Sequence, residues 1–243
     1  MSATVVALAP VAPSLIIVDT SVLLQVIATE QLGCLRGLRS CFGIQSAIVD
    51  AVHSEASTIL KTVPRFMGRQ EQLKRACTNG TLPVVSRDWM MASYGGTGSA
   101  LLQQINAKGE ELAGHVDRGE AYSHAASACL DSLIATNDTN AVNVLIRMKE
   151  FVPRPVLRFW DLMVLAFQSD LLTAAECDKV RQTLAKLNER TDPAFKGRPF
   201  MEGLSNFYPR IVDGTKDPVG AREPQERMDF RLPIHRLTAA PAI

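Results

Sequence analysis

The sequence predicts an α/β fold built on a parallel sheet covered by helices, and three observations predict it. Leu15, Ile16, Ile17 and Val18 form an aliphatic run with no polar face, the signature of a strand buried on both sides. Residues 133–136 form a second compact run, and the two runs end on acids, Asp19 and Asp138. Strand-like and helical patterns then alternate almost throughout, which requires right-handed crossovers between parallel strands.

Taken in order, the strand at 15–18 is followed by helical spacing over residues 21–31, with Val22, Leu23, Val26 and Ile27 on one face and Gly33 as the stop. Residues 41–44 are expected to form a short second strand. Ser46 then caps a helix lined by Ile48, Val49, Val52 and Ala56 that carries Glu55. The stretch 61–75 is basic, with Lys61, Arg65, Arg69, Lys74 and Arg75 against the single acid Glu71. Residues 81–86 read as a third strand, and Asp88 as the cap of a helix through Trp89, Met90 and Met91. The glycines of residues 94–99 mark a flexible loop. They do not make a dinucleotide fingerprint, since counting from Gly96 puts Leu101 at the required third glycine.

Asp117, Arg118, Gly119 and Glu120 open an alanine-rich helix running to about Cys129. The strand at 133–136 follows, then a helix over 139–149, a last strand at 156–159, and amphipathic helices at 162–167 and 174–187. From Asp192 onward, seven of the 13 prolines are interleaved with charges and single aromatics. The expected organisation is a lead at 1–14, a main α/β domain at 15–190 and a proline-rich tail at 191–243. The tail is expected to be disordered, or laid across a partner or the domain itself.

Composition narrows the class. The 243 residues are 47% hydrophobic and 21% charged with a net charge of +1, which suits a soluble globular protein and leaves local charge to decide any nucleic-acid binding. Five scattered cysteines without a C-x-x-C pair read as free thiols in a reducing, cytoplasmic compartment rather than zinc ligands. The apolar N-terminus lacks a basic n-region and is not expected to be a signal peptide. No apolar stretch approaches the roughly 20 residues of a membrane span. His53, His115, His124 and His235 share no ligand spacing, and no G-x-S-x-G elbow supports serine chemistry. Ser21 stands where a haloacid-dehalogenase-like phosphatase needs its second aspartate.

Four acids remain: Asp19, Glu55, Glu120 and Asp138. Each has a plain explanation as a helix cap, as half of a capping box with Asp117, or as a solvated helix charge. In a parallel sheet, however, Asp19 and Asp138 emerge at one edge, and the helix opening at Glu120 points its first turn there. Two carboxylates about 4 Å apart repel by roughly 4 kcal/mol at intermediate dielectric, so such a cluster calls for a cation. Hard oxygen donors suit Mg²⁺ or Mn²⁺, and the chemistry such a site serves best is phosphodiester hydrolysis.

Asp19, Thr20 and Ser21 after an aliphatic strand, residues 46–55 (SAIVDAVHSE), Gly119, Glu120 and Ala121, and residues 135–138 (ATND) resemble the successive motifs of PIN-domain nucleases, a group that includes VapC-like toxins. The resemblance covers about residues 15–190. It implies a three-layer α/β/α sandwich with a central parallel sheet and a metal-dependent endoribonuclease. Asp19, Glu120 and Asp138 would then hold Mg²⁺ or Mn²⁺, Glu55 would complete the cluster and help to orient water, and Thr20 or Ser21 would supply a hydroxyl. Lys61, Arg65 and Arg69 would hold RNA if they flank the crevice. A toxin-like role would add a small inhibitory, antitoxin-like protein and a homodimer. The alternative is a non-catalytic RNA-binding or scaffolding PIN-like module. Many members carry a further acid where Asn137 stands, and compact toxins lack the segment after Asp192.

Overall fold

The computed structural model describes residues 15–148 and 156–207. Its centre is a four-stranded, all-parallel sheet in the order β2-β1-β3-β4, made of β1 (Leu15–Val18), β2 (Gln45–Ala47), β3 (Leu133–Ala135) and β4 (Val156–Leu157). Ile16 pairs with Ser46 on one side and Leu133 on the other. The fold is therefore α/β, as expected. Starting from β1, the chain builds β2 on one side and later returns to place β3 on the other. The strand order reverses between β1 and β3, so a crevice opens at their carboxyl ends; Asp19 follows β1 directly, and Asp138 follows β3 after Thr136 and Asn137.

Eleven helices surround the sheet among the described residues: α1 (Thr20–Ala28), α2 (Leu32–Phe42), α3 (Asp50–Thr62), α4 (Gln70–Thr78), α5 (Arg87–Tyr94), α6 (Gly98–Leu112), α7 (Arg118–Cys129), α8 (Thr139–Ile146), α9 (Phe159–Gln168), α10 (Ala174–Lys186) and α11 (Phe200–Phe207). None of them is long and apolar enough to cross a membrane. The aliphatic strand β1 and the inward faces of α1, α3, α7 and α9 form one continuous core.

Several elements depart from the sequence expectation, each for a local reason. Gly33 does not stop the first helix; the chain turns at Glu30, a non-glycine residue with φ 62°, and α2 follows. Cys41 and Phe42 finish α2 rather than start a strand, because Cys34, Leu35 and Leu38 hold that helix on the core. Gly43, at φ 67°, closes it with its N–H on Arg39 O. Ser46 accordingly lies in β2, and α3 begins at Asp50 without a side-chain cap. Residues 81–86 contribute only a bridge between Ile48 and Val84, flanked by Ile48 N–H on Pro83 O and Val85 N–H on Ile48 O. Pro83 has no N–H with which to extend a ladder. Ser86, not Asp88, caps α5 by accepting from Trp89 N.

The glycine-rich stretch at 94–99 is a 3₁₀ turn leading into the long α6. Gly98 is there for packing: a Cβ would fall 2.3 Å from Met90 O. The last strand is only two residues long, since Phe159 already begins α9. Of the alternatives for the segment after Asp192, its described part, residues 193–207, takes the one laid on the domain. Phe195 stacks on Trp160 at 4.2 Å between ring centroids, and Phe200 meets Phe167 edge-on at 5.1 Å. Asp178 accepts from Phe200 N, and Trp160 Nε1 donates to Thr191 Oγ1. The lead at 1–14, residues 149–155 and the tail from 208 lie outside the described residues.

Candidate functional site

Asp19 is the first residue past β1, and its backbone N–H still belongs to the sheet, donating to Ala135 O at 2.9 Å. Its side chain is only 2% exposed. Oδ2 accepts from Thr136 Oγ1 at 3.0 Å and from Ser21 Oγ at 3.1 Å, with a long contact from Ser21 N at 3.5 Å. Oδ1 is buried with no hydrogen-bond partner. Burial pushes this carboxyl above the ordinary range, hydrogen bonds from Thr20, Thr136 and Ser21 offset part of that, and the charge of Glu55 adds to it. A helix cap needs none of this burial, and the cap contact itself is weak.

Glu120 comes from the first turn of α7, half-buried, and the environment pushes its carboxyl up to about 8. Burial is the largest cause, followed by the charges of Asp138 and Asp19 and by a hydrogen bond with Asp138. A hydrogen bond that favours the neutral acid makes Glu120 the donor and Asp138 the acceptor. No capping box forms with Asp117, whose side chain makes no cap bond. Asp138 has the plain role anticipated for it, Oδ1 capping α8 by accepting from Ala141 N at 2.7 Å, and its charge also bears on Glu120.

Glu55 reaches the crevice from α3. Its Oε2 accepts from Thr20 Oγ1 at 2.7 Å, and its charge bears on Asp19. The approach depends on Gly119, where a Cβ would lie 2.4 Å from Glu55 Oε2 and 3.3 Å from Thr20 Oγ1. The four anticipated acids are thus brought together, with Thr20 on Glu55 and Ser21 on Asp19. Among the described residues, no group of three or more His, Cys, Asp and Glu side chains is arranged as a ready-made metal site. The carboxylates are linked pairwise, Asp19 with Glu55 and with Glu120 by charge and Glu120 with Asp138 by charge and a hydrogen bond, and not through a common point. Gly119→Ala tests the packing: the domain should fold, because only the end of a flexible side chain has to move, while any activity that needs Glu55 should fall about tenfold, the worth of one neutral-to-charged hydrogen bond. Circular dichroism and initial rates check the two halves of that outcome.

Two cavities flank the acids. One of about 950 Å³ runs beside Glu55 and Gly119 and is acidic, with Asp50, Glu110 and Asp117 in its wall and Arg118 tied to Glu110 at 2.7 Å. The other, about 360 Å³, is lined by Ser21, Arg65, Asn137, Asp138 and Arg190. Of the three basic residues anticipated, Arg65 alone lines a cavity at the site; it is ion-paired with Glu189 at 2.9 Å and lies over the Phe66 ring at 5.1 Å. Lys61 lies in the last turn of α3 and Arg69 donates to Arg65 O, neither of them on these cavity walls. The basic stretch is not one helix face, being split by a 3₁₀ turn at Pro64–Phe66.

Sequence reasoning missed the polar frame that holds the acids. Asn137 donates from Nδ2 to Gln25 Oε1 and from its N–H to Ser21 Oγ, and its Oδ1 accepts from Phe159 N. Gln25 in turn donates to Arg190 O. Asn137 therefore joins α1 to the start of α9, and a carboxylate there would forfeit the bond to Gln25. His124 is buried one helical turn after Glu120; burial and then the charge of Arg158 push it down to about 4, against an opposing pull from Asp138. Its i+4 relation to Glu120 was the only available signal. Comparison of the chain with protein-family models, curated proteins and solved structures gives no match.

Proposed function

We propose that this chain is a divalent-metal-dependent nuclease that hydrolyses RNA phosphodiester bonds, in a PIN-like three-layer α/β/α sandwich. The observation that carries this reading is the crevice at the reversal of strand order, where Glu120 is pushed up to about 8 beside Asp138 and Asp19. Acids gathered at such a cost to their own ionisation are what a cation site looks like without its cation.

The donors fit Mg²⁺ or Mn²⁺ in kind: all are oxygens, and Asp19 Oδ1 is buried without a partner. Asp19, Glu120 and Asp138 would hold the ion, which supplies charge neutralisation at the phosphate and an activated water. The protein's own contribution is placement. Thr136 and Ser21 fix Asp19 by two hydroxyl donors, while Thr20 and the absent side chain of Gly119 fix Glu55 beside it. Glu55 is positioned to orient a water molecule. The smaller cavity sets Arg65 and Arg190 against Asp138 and Glu189, so it repels a phosphate backbone less than the acidic larger cavity does. RNA rather than DNA, a small antitoxin-like inhibitory partner, a homodimer and a cytoplasmic location rest on the family resemblance and on the thiol chemistry.

Among the described residues no three acids form a ready-made ligand group, which favours a second reading, a non-catalytic RNA-binding module. Incubation of the full chain with single-stranded RNA separates the two. Cleavage in Mg²⁺ or Mn²⁺ that stops with chelator is the expected result; RNA bound but intact in both metals supports the module instead.

A further inference from the structure

We infer that Arg158 is a positioning residue for the acidic cluster, acting through Thr136; the inference rests on the metal-site reading above. Arg158 lies between β4 and α9 and is only 6% exposed, and its Nη1 donates to Thr136 O at 2.8 Å. Its own N–H donates to Asp161 Oδ2 at 2.6 Å, so its backbone is fixed on α9 as firmly as its side chain is fixed on β3. A buried guanidinium is costly to desolvate, and a helix cap alone would not require one.

Thr136 is the hub through which the arginine acts. Its N–H is committed to Leu157 O, its carbonyl to Arg158, and its hydroxyl donates to Asp19 Oδ2 while accepting from Asp138 N at 3.1 Å. One residue thus sets the separation of two proposed metal ligands, and Arg158 sets that residue. The planar fork of arginine suits this task, since one fixed donor can serve the carbonyl while the others satisfy neighbours; lysine has no such geometry. The guanidinium also lies within electrostatic reach of His124 on α7, on which Asp138 acts as well.

The test is Mn²⁺ binding by the full chain, measured calorimetrically, for wild type, Arg158→Lys, Arg158→Met, Thr136→Val and the double variant Arg158→Met with Thr136→Val. Each single substitution should weaken Mn²⁺ binding about 10- to 100-fold, the range for partners that orient metal ligands. The double variant should be no weaker than the worse single, because both act on the same ligands. Arg158→Lys keeps the charge and guards against loss of folding in Arg158→Met. Mn²⁺ affinity unchanged in folded Arg158→Lys, or additive losses in the double variant, would overturn the positioning role while leaving the metal site standing. Failure of wild type to bind Mn²⁺ would overturn the metal-site reading itself, and the inference with it.

Discussion

Asp19→Asn is expected to lower RNA cleavage about 10³-fold while leaving the fold intact. The rate loss corresponds to about 4 kcal/mol, a reasonable share for one charged ligand of a metal that stabilises a phosphoryl transition state. The fold should survive because the hydrogen bonds from Thr136 Oγ1, Ser21 Oγ and Ser21 N all converge on Oδ2, which an amide oxygen reproduces, while Nδ2 would replace the unpartnered Oδ1. Removing a buried charge that burial already disfavours should also leave the metal-free protein at least as stable as wild type. Rates in saturating Mn²⁺ and a thermal melt in chelator check both parts. A folded variant with full activity would place the chemistry elsewhere, and a variant that unfolds would reduce Asp19 to a structural cap.

Glu120→Gln should show the same logic as a dependence on pH. Glu120 moves from 4.5 to about 8 on folding, so the folded chain keeps a proton that the unfolded chain gives up. The associated stability is fully present below pH 4.5 and is lost as pH rises towards 8. Metal-free wild type should therefore lose stability across that window. Glu120→Gln, which cannot ionise, should be the more stable by about 1–2 kcal/mol near pH 8, after discounting for a half-exposed group. Mg²⁺ should reverse the order: it must displace the shared proton, so it should raise the melting temperature of wild type more at pH 8 than at pH 6 and that of the variant little at either. Melts at three pH values with chelator or Mg²⁺ are sufficient. Parallel pH profiles for the two proteins would mean that Glu120 carries no such proton.

The parts of the molecule visible in the sequence are those set by short-range pattern. Leu15 to Val18 could only be a covered strand, and Asp19 followed it; the run at 133–135 placed Asp138 by the same rule. The parts that were hidden depend on distant contacts. Gly119 looked like part of a helix start, and nothing local says that Glu55 must pass within touching distance of it. Arg158 has the chemistry of a surface residue, yet it is buried with its Nη1 on Thr136 O, just past the end of β3. The prolines after Asp192 suggested an extended tail, but Phe195 and Phe200 were spaced to close over Trp160. Pro83 cut short what its aliphatic neighbours promised as a strand.

Anomalous diffraction from crystals soaked in Mn²⁺ would show whether the carboxylates that follow β1 and β3 share a cation. The expected map has a peak bound by Asp19, Glu120 and Asp138, with Glu120 drawn out of its hydrogen bond to Asp138. A map with no peak there, and Glu120 still donating to Asp138 at a pH where Mn²⁺ is soluble and abundant, would contradict a shared cation.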